Sequence, residues 1–413
     1  MTTTTASATR RDALPWSALL ALGTAVFITS LTETLPAGVL PQMSSALGVS
    51  SGAAGQTVTV YAAGTALTAI PLAAATAGIR RKPLLLGAMT GFLVANTLTA
   101  AAPGYAVLLL SRFLAGVAAG LAWAILAGYA RRIAPAGQEG RAIAIAMTGI
   151  PLALSLGVPA GTLIGQQIGW RVSFAAVSVI TLAVLGWITF SVPAVGRPAT
   201  TADRPKPTTR QTLRVPGVTA VMVVVVTFVL GHTVLYAYIA PYLSHAGLGT
   251  AADAILLAFG IACLAGIWYT GRHIDRRPRG LALSAAALFT LATAAFAATT
   301  AQAVVWVAAV VWGLGWGAAP TLLQTAAGHA GMRRGPAVAD TSQAILVTLW
   351  NAAMALGGII GGLLLQQVGV TADAVAAAGL GALSLAVITF TRKHAFAPAE
   401  RDAPCERERT PAG

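Results

Sequence analysis

Apolar residues in this chain come in long runs rather than at the three- and four-residue intervals of a helix that packs one face on a soluble core. Residues 218–230 contain no charge, and neither do residues 281–301. Runs of about 20 such residues cross a hydrocarbon layer roughly 30 Å thick as α-helices, which satisfy their own backbone groups. The pattern predicts twelve of them: 16–40, 54–77, 83–101, 105–129, 142–165, 172–192, 216–240, 253–271, 280–300, 302–327, 337–365 and 371–391. The short alternating segments of a membrane β-barrel are not seen. The chain therefore reads as an all-α membrane protein.

Composition agrees. Of 413 residues, 56% are hydrophobic and only 9% charged, with a mean hydropathy of +0.77. That is too little charge to clothe a soluble domain of this size. Forty-four glycines suit close helix approach in lipid. The net charge of +14 invites a nucleic-acid reading, which fails once the basic residues are placed. With the N-terminus inside, 24 of the 26 Lys and Arg fall in cytoplasmic segments; Arg171 falls outside and Arg112 within a span. This bias predicts an inner-membrane protein with both termini cytoplasmic. Cys263 and Cys405 imply no disulfide framework. The first apolar run is too long for a cleaved signal and carries an acid that a signal does not need.

The widest break separates two six-span halves. The organisation read is a tail at 1–15, a first half at 16–192, a cytoplasmic linker at 193–215, a second half at 216–391 and a charged tail at 392–413. The halves repeat. Gly157, Gly161, Gln166, Gln167 and Gly169 recur 200 positions on as Gly357, Gly361, Gln366, Gln367 and Gly369, and Pro41 as Pro241. Gly120-Leu-Ala-Trp123 has its counterpart in Gly313-Leu-Gly-Trp316. Two parallel six-helix repeats are a transporter signature, with substrate held between them near the midplane.

Four segments carry a family likeness. They are Thr32-Glu33-Thr-Leu-Pro36-Ala-Gly38-Val-Leu-Pro41 in span one, Arg112-Phe-Leu-Ala-Gly116 in span four, Gly149…Gly157-Val-Pro159-Ala-Gly161 in span five, and Gly271-Arg272-His-Ile-Asp275-Arg276-Arg277 after span eight. With them the chain resembles the major facilitator superfamily, and within it the twelve-helix drug/proton antiporter branch that includes sugar-efflux and chloramphenicol-efflux pumps. The resemblance implies that fold, an exporter motif at Gly149, Gly157, Pro159 and Gly161, and a cytoplasmic gating loop at Gly271, Arg272, Asp275 and Arg276. One departure stands out: the loop after span two, Gly78-Ile-Arg80-Arg81-Lys82, lacks the family's aspartate. Its role in gating the first half is thereby put in question.

Ionisable residues inside a span are functional candidates. Glu33 and Arg112 each lie roughly 10–12 Å below the outer boundary at 1.5 Å per residue, so they can face each other. They read either as a fixed ion pair or as a proton-coupling carboxylate tuned by a neighbouring guanidinium. His232 sits at the repeat-equivalent level of Glu33. Tyr61, Trp123, Tyr236, Tyr238, Gln324 and Asn351 are candidate cavity residues, or else interhelical packing. Asp340 reads as a first-turn acid favoured by the helix dipole rather than as a coupling residue. The Gly/Pro run of span five reads as helix packing with a local weakness at the proline. No phosphate-binding loop, metal cluster or nucleophile with a placed base is present, so neither cofactor nor metal is expected, only a proton gradient. The expectation is a monomeric proton-coupled exporter of a small organic molecule (drug, sugar or metabolite) in a lipid bilayer, with no nucleic-acid partner. An importer of the same fold is the runner-up, and an intramembrane enzyme or sensor the rival from another class.

Overall fold

The computed structural model describes residues 13–76, 78–194, 207–391 and 395–396. The basic residues expected in the tails and linker, Arg10, Arg11, Arg197, Arg204, Lys206, Arg392, Lys393, Arg401, Arg407 and Arg409, lie outside them, as does Cys405.

Every regular element among the described residues is helical. The first crossing is α1 (Trp16–Gly38) continued by α2 (Leu40–Leu47), and α3 (Ser51–Ala75), α4 (Arg81–Ala101) and α5 (Tyr105–Ile133) follow. The next helical run, Glu139–Ser191, has 53 residues and counts as one of eleven candidate membrane spans. At 1.5 Å per residue it would be about 80 Å long, more than twice a hydrocarbon core. It is in fact two crossings, because Gly169 at φ +127° turns the chain back without a loop. The first of these holds α6 (Glu139–Met147), α7 (Gly149–Leu152), a π-helical turn at Ala153–Gly157, α8 (Val158–Ile164) and a second π turn at Gly165–Gly169; the other is α9 (Trp170–Ser191). Twelve crossings result, as the hydropathy pattern predicts.

Of the expected linker, the described part contains a short helix, α10 (Thr209–Leu213), closed by a capping box in which Thr208 and Gln211 bond reciprocally. The remaining crossings are α11 (Val218–Tyr236) continued by α12 (Ile239–His245), α13 (Ala252–His273), α14 (Pro278–Ala298), α15 (Gln302–Met332), α16 (Pro336–Gln367) and α17 (Ala372–Phe390).

One apolar core gathers α1, α4, α5, α6 and α9 around Leu19, Leu22, Phe92 and Phe174. A second gathers α11 and α14–α17 around Val225, Phe289, Phe296 and Trp312. The perimeter is apolar too. Phe190 and Phe390 are 90% and 85% exposed, which suits lipid and not water. The two sets of six meet through α6 against α13 and α15, and through α16 against α3 and α5. These contacts include the ends of the helices where the described basic residues Arg80–Lys82, Arg131, Arg132, Arg141, Arg272, Arg276 and Arg277 gather, here called the basic end.

Candidate functional site: a cavity between the two sets of helices

Span one sets the geometry. Pro36 lies inside α1 and has no N–H, so the carbonyl of Thr32, four residues back, loses its helical donor. A buried carbonyl left so must find another partner. Arg112 of α5 supplies it, its Nη2 donating to the Thr32 oxygen at 2.6 Å. The same residue is held through its hydroxyl, which accepts from Asn96 Nδ2 at 3.0 Å. Arg112 is fully buried, its guanidinium lying 4.9 Å from the Tyr61 ring centroid and 5.8 Å from that of Phe174. Tyr61 in turn donates from its hydroxyl to the Thr29 carbonyl at 3.3 Å. The fixed ion pair, one of the two readings of Arg112 and Glu33, is therefore replaced by a bond to the neighbouring backbone, and the Arg112 charge acts on Glu33 without direct contact. No ion pair to Glu33 forms among the described residues. The spacing of Pro36 from Thr32 was the sequence signal for this bond.

Glu33, freed from that pairing, turns into a cavity of about 1100 Å³, its open mouth included, between the two sets of helices. Ser30 and Thr34 share its wall from α1, and Trp123 comes from α5. Across from them stand His232 and Tyr236 of α11, Phe259 of α13, Trp316 and Gln324 of α15, and Trp350 and Asn351 of α16. Of the sequence candidates, the structure thus brings Glu33, Trp123, His232, Tyr236, Gln324 and Asn351 together. Arg112 and Tyr61 lie behind the wall. Tyr238 lies away from it, in the break between α11 and α12, with its hydroxyl on the Gly358 carbonyl at 2.7 Å. Trp316, Trp350 and Phe259 were missed, because an indole or phenyl in an apolar run looks the same whether it faces lipid or a cavity.

His232 is held tightly. Its ring lies parallel to Trp316, centroids 3.4 Å apart and planes 4° apart, and its Nδ1 accepts from the Trp312 indole N–H at 3.2 Å. An accepting Nδ1 carries no proton, so the ring here is the neutral tautomer protonated on Nε2.

The family model of the Major Facilitator Superfamily matches residues 22–339, more than half the chain. The chain belongs to the major facilitator superfamily. As a member of that superfamily it is a transporter, not an enzyme. It is 30% identical over 397 residues to "Transcription regulatory protein OpdE" of Pseudomonas aeruginosa, covering 93% of this chain and 95% of that protein. It is 26% identical to a "Probable sugar efflux transporter" of Mannheimia succiniciproducens, covering 89% and 91% respectively. Among solved structures, the proton:xylose symporter XylE superimposes with a TM-score of 0.74 at 16% identity, over 91% of this chain and 95% of that one, which shows the shared fold.

Polar contacts of this facilitator cross between the helix sets at the basic end: Arg131 Nη1 of α5 donates to the Gly328 carbonyl of α15 at 3.1 Å, and two more contacts centre on aspartates. In the first, Asp275 accepts from the backbone N–H of Gly140 at 2.5 Å and of Arg141 at 3.1 Å, at the start of α6. Burial pushes this carboxyl above its ordinary range, and the two N–H bonds work against that shift. Gly271 and Arg272, read from sequence as loop residues, belong to the last turn of α13. Gly271 has no side chain because Ala144 of α6 packs against that spot. Arg272 lies over Trp268 of its own helix at 5.4 Å. In the second contact, Asp340 of α16 takes Arg81 of α4 and, at 2.8 Å, Arg132 of α5. The first-turn dipole reading of Asp340 is thus corrected: two arginines of the other helix set hold its carboxylate.

The glycines of span five are packing positions. A methyl at Gly157 would lie 2.9 Å from the Phe27 ring, and one at Gly161 2.6 Å from Leu35. At Gly149 it would strike the backbone of Gly23. They form the track on which α1, and with it Glu33, is seated.

Proposed function

We propose that this facilitator exports a small organic solute from the cytoplasm in exchange for protons, by alternating access, with Glu33 as the group that takes the proton. One observation carries the reading. Glu33 is the one charged side chain lining the cavity, and it forms no ion pair among the described residues, the Arg112 charge acting on it from behind the wall. A carboxyl facing such a cavity can exchange its proton with water on one side and with substrate on the other. The exporter direction is supported by the Gly149…Gly161 motif and by the sugar-efflux relative. In this reading the basic end faces the cytoplasm, both termini lie on that side of the inner membrane, residues 16–192 and 216–391 act as the two rocking halves, and the protein works as a monomer.

The test uses proteoliposomes with an imposed pH gradient. Wild type concentrates its substrate against a gradient, whereas Glu33→Gln, which mimics the protonated carboxyl, equilibrates it or moves none. Uphill transport by Glu33→Gln at the expense of the pH gradient would place coupling elsewhere. Accumulation in the opposite sense would make the protein an importer.

A further inference from the structure

Residues 391–413 contain a single large apolar side chain, Phe396, among charged, polar and small residues and prolines. A side chain of such a tail has no need to be buried. Yet Phe396 is only 2% exposed and Ala395 beside it 1%. The phenyl ring completes a second pocket, of about 250 Å³ with its opening included, inside the last six crossings. Phe228 of α11, Ala282 and Ala286 of α14, Leu322 and Leu323 of α15 and Ile388 of α17 share its lining. These positions lie toward the basic end, where α14 starts directly after Arg277.

The pocket lies just behind the cavity wall. Phe228 is parallel to Trp316, with centroids 5.9 Å apart and planes 4° apart, and Trp316 in turn holds His232. One stretch of α15 serves both spaces. Its Ala319, Leu322 and Leu323 face the Phe396 pocket, whereas Trp316, Pro320 and Gln324 face the cavity. Pro320 has no N–H to offer the Trp316 carbonyl, so this stretch is the part of α15 least held by its own bonds. Support from behind therefore matters most here.

The seat is also one that can be left. Phe396 has φ +58° and is the only non-glycine residue at positive φ among the described residues. A bulky side chain is disfavoured in that conformation. The strain is of the same order as the gain from burying one phenyl ring, so the two come close to offsetting each other.

We propose that this pocket is an internal docking site for the chain's own tail, in which Phe396 seats reversibly and braces α15 behind the cavity wall. With Phe396 seated, α15 is held straight past Pro320. With Phe396 withdrawn, the stretch from Trp316 to Gln324 gains freedom to bend, and the cavity wall moves with it. The tail thereby controls how firmly the second half holds the wall. The proposal goes beyond the transport reading and depends on neither a solute nor a proton.

Two measurements on the full-length protein in lipid nanodiscs test it. In the first, Phe396 is replaced by p-azidophenylalanine, which keeps the aromatic ring, and is photolysed. Mass spectrometry should find the crosslink within the same chain, on α11, α14 or α15. Crosslinks mainly to lipid or to a second copy of the chain would overturn the docking site. In the second, hydrogen exchange is followed in Phe396→Ala. Amides of residues 316–326 should exchange on the order of tenfold faster than in wild type, with those of α5 unchanged. Phe396→Leu should restore part of the protection. Phe390→Ala, at the end of the same helix but 85% exposed, should change nothing. Folded Phe396→Ala that exchanges like wild type in α15, or that speeds exchange equally throughout α11–α17, would overturn the brace. The azide measurement decides the docking site even if Phe396→Ala does not fold. A failure of either leaves the proton-exchange reading untouched, and loss of uphill transport has no bearing on these two.

Discussion

Span five and span eleven occupy equivalent places in the repeat, and they have been built differently. Both carry a glycine track for a neighbouring helix. Gly157 and Gly161 seat α1 through Phe27 and Leu35, and Gly357 and Gly361 seat α11 through Thr233 and Tyr238. The two seated helices carry Glu33 and His232, which face the same cavity. Only span five departs from α-helical hydrogen bonding. Pro159 has no N–H for the Ser155 carbonyl, and just ahead of it the Val158 N–H reaches back five residues to Ala153 in a π turn. The wider turn absorbs the bond that the proline cannot make. Span eleven has Ile359 at that place and runs as one α-helix from Pro336 to Gln367.

The basic ends differ in polarity. At span five the acid, Asp275, comes from the connection between α13 and α14, and the helix offers bare N–H groups. At span eleven the helix supplies the acid, Asp340, and the first residue of α4 supplies a base, Arg81. The aspartate missing after span two has thus been replaced by a contact with its charges exchanged. The two spans share glycine packing but differ in helical hydrogen bonding and in the sign of charge they present.

The comparison is broken most severely by giving span eleven the proline of span five. Ile359→Pro removes a backbone bond inside α16, where no π turn is present to absorb it. The loss is about 3 kcal/mol or more, the price of proline in a helix interior. Thermal unfolding in detergent should show a clear fall in Tm. The reciprocal Pro159→Ala restores an N–H and should leave Tm within a few degrees of wild type or above it. If Ile359→Pro is as stable as wild type, the continuous α-helical bonding of α16 is not what distinguishes the two spans.

How much of this could be read from the chain depends on the scale of the feature. Crossing number was legible because each crossing rests on some twenty residues, and error in one is corrected by the alternation of the rest. The turn at Gly169 was not, since a single positive-φ glycine replaced the expected polar loop. Glu33 and His232 were legible as polar residues in apolar runs. Arg112 does not form the fixed ion pair that was one of two alternatives for it, although its charge acts on Glu33, because depth along a helix says nothing about azimuth. Its true acceptor is a backbone oxygen made available by Pro36, a residue four positions away. Asp340 was misread for a related reason: its two arginines lie more than 200 positions distant, and no local pattern announces them.

A smaller effect comes from removing the charge at span eleven. Asp340, Arg81 and Arg132 are largely withdrawn from solvent, with side chains 16%, 5% and 14% exposed. Asp340→Asn leaves two arginines facing each other without an acid. Breaking a buried pair typically costs several kcal/mol, and the remaining exposure reduces this to about 2 kcal/mol. Spin labels at Ala136 and Arg276, both exposed and on opposite helix sets at the basic end, report the result. Asp340→Asn should lengthen and broaden their distance distribution in double electron–electron resonance. Adding Arg81→Gln should recover part of the loss, because the surplus charge falls. Fully additive effects in this cycle would mean that Asp340 and Arg81 do not act as a pair.

The smallest effect is expected at span five, where Asp275 meets N–H groups rather than cations. Asp275→Asn keeps an acceptor for one of them and should cost at most about 1 kcal/mol. Its signature is instead a change in pH dependence. Burial raises the Asp275 carboxyl above its ordinary value of 3.8, so the described contact holds a proton more readily than the same residue in water. The stability that this protonation gives to the contact is fully present below the ordinary value and is lost as pH rises through the raised one. The distance between labels at Ala136 and Arg276 should therefore lengthen from acid toward neutral pH in wild type. Asp275→Asn cannot ionise and should flatten that component, while Asp340→Asn should shift the whole curve and leave its slope. A slope that survives in Asp275→Asn would assign the titration to another group at the basic end, with Glu139, whose charge acts on Asp275, the first to substitute.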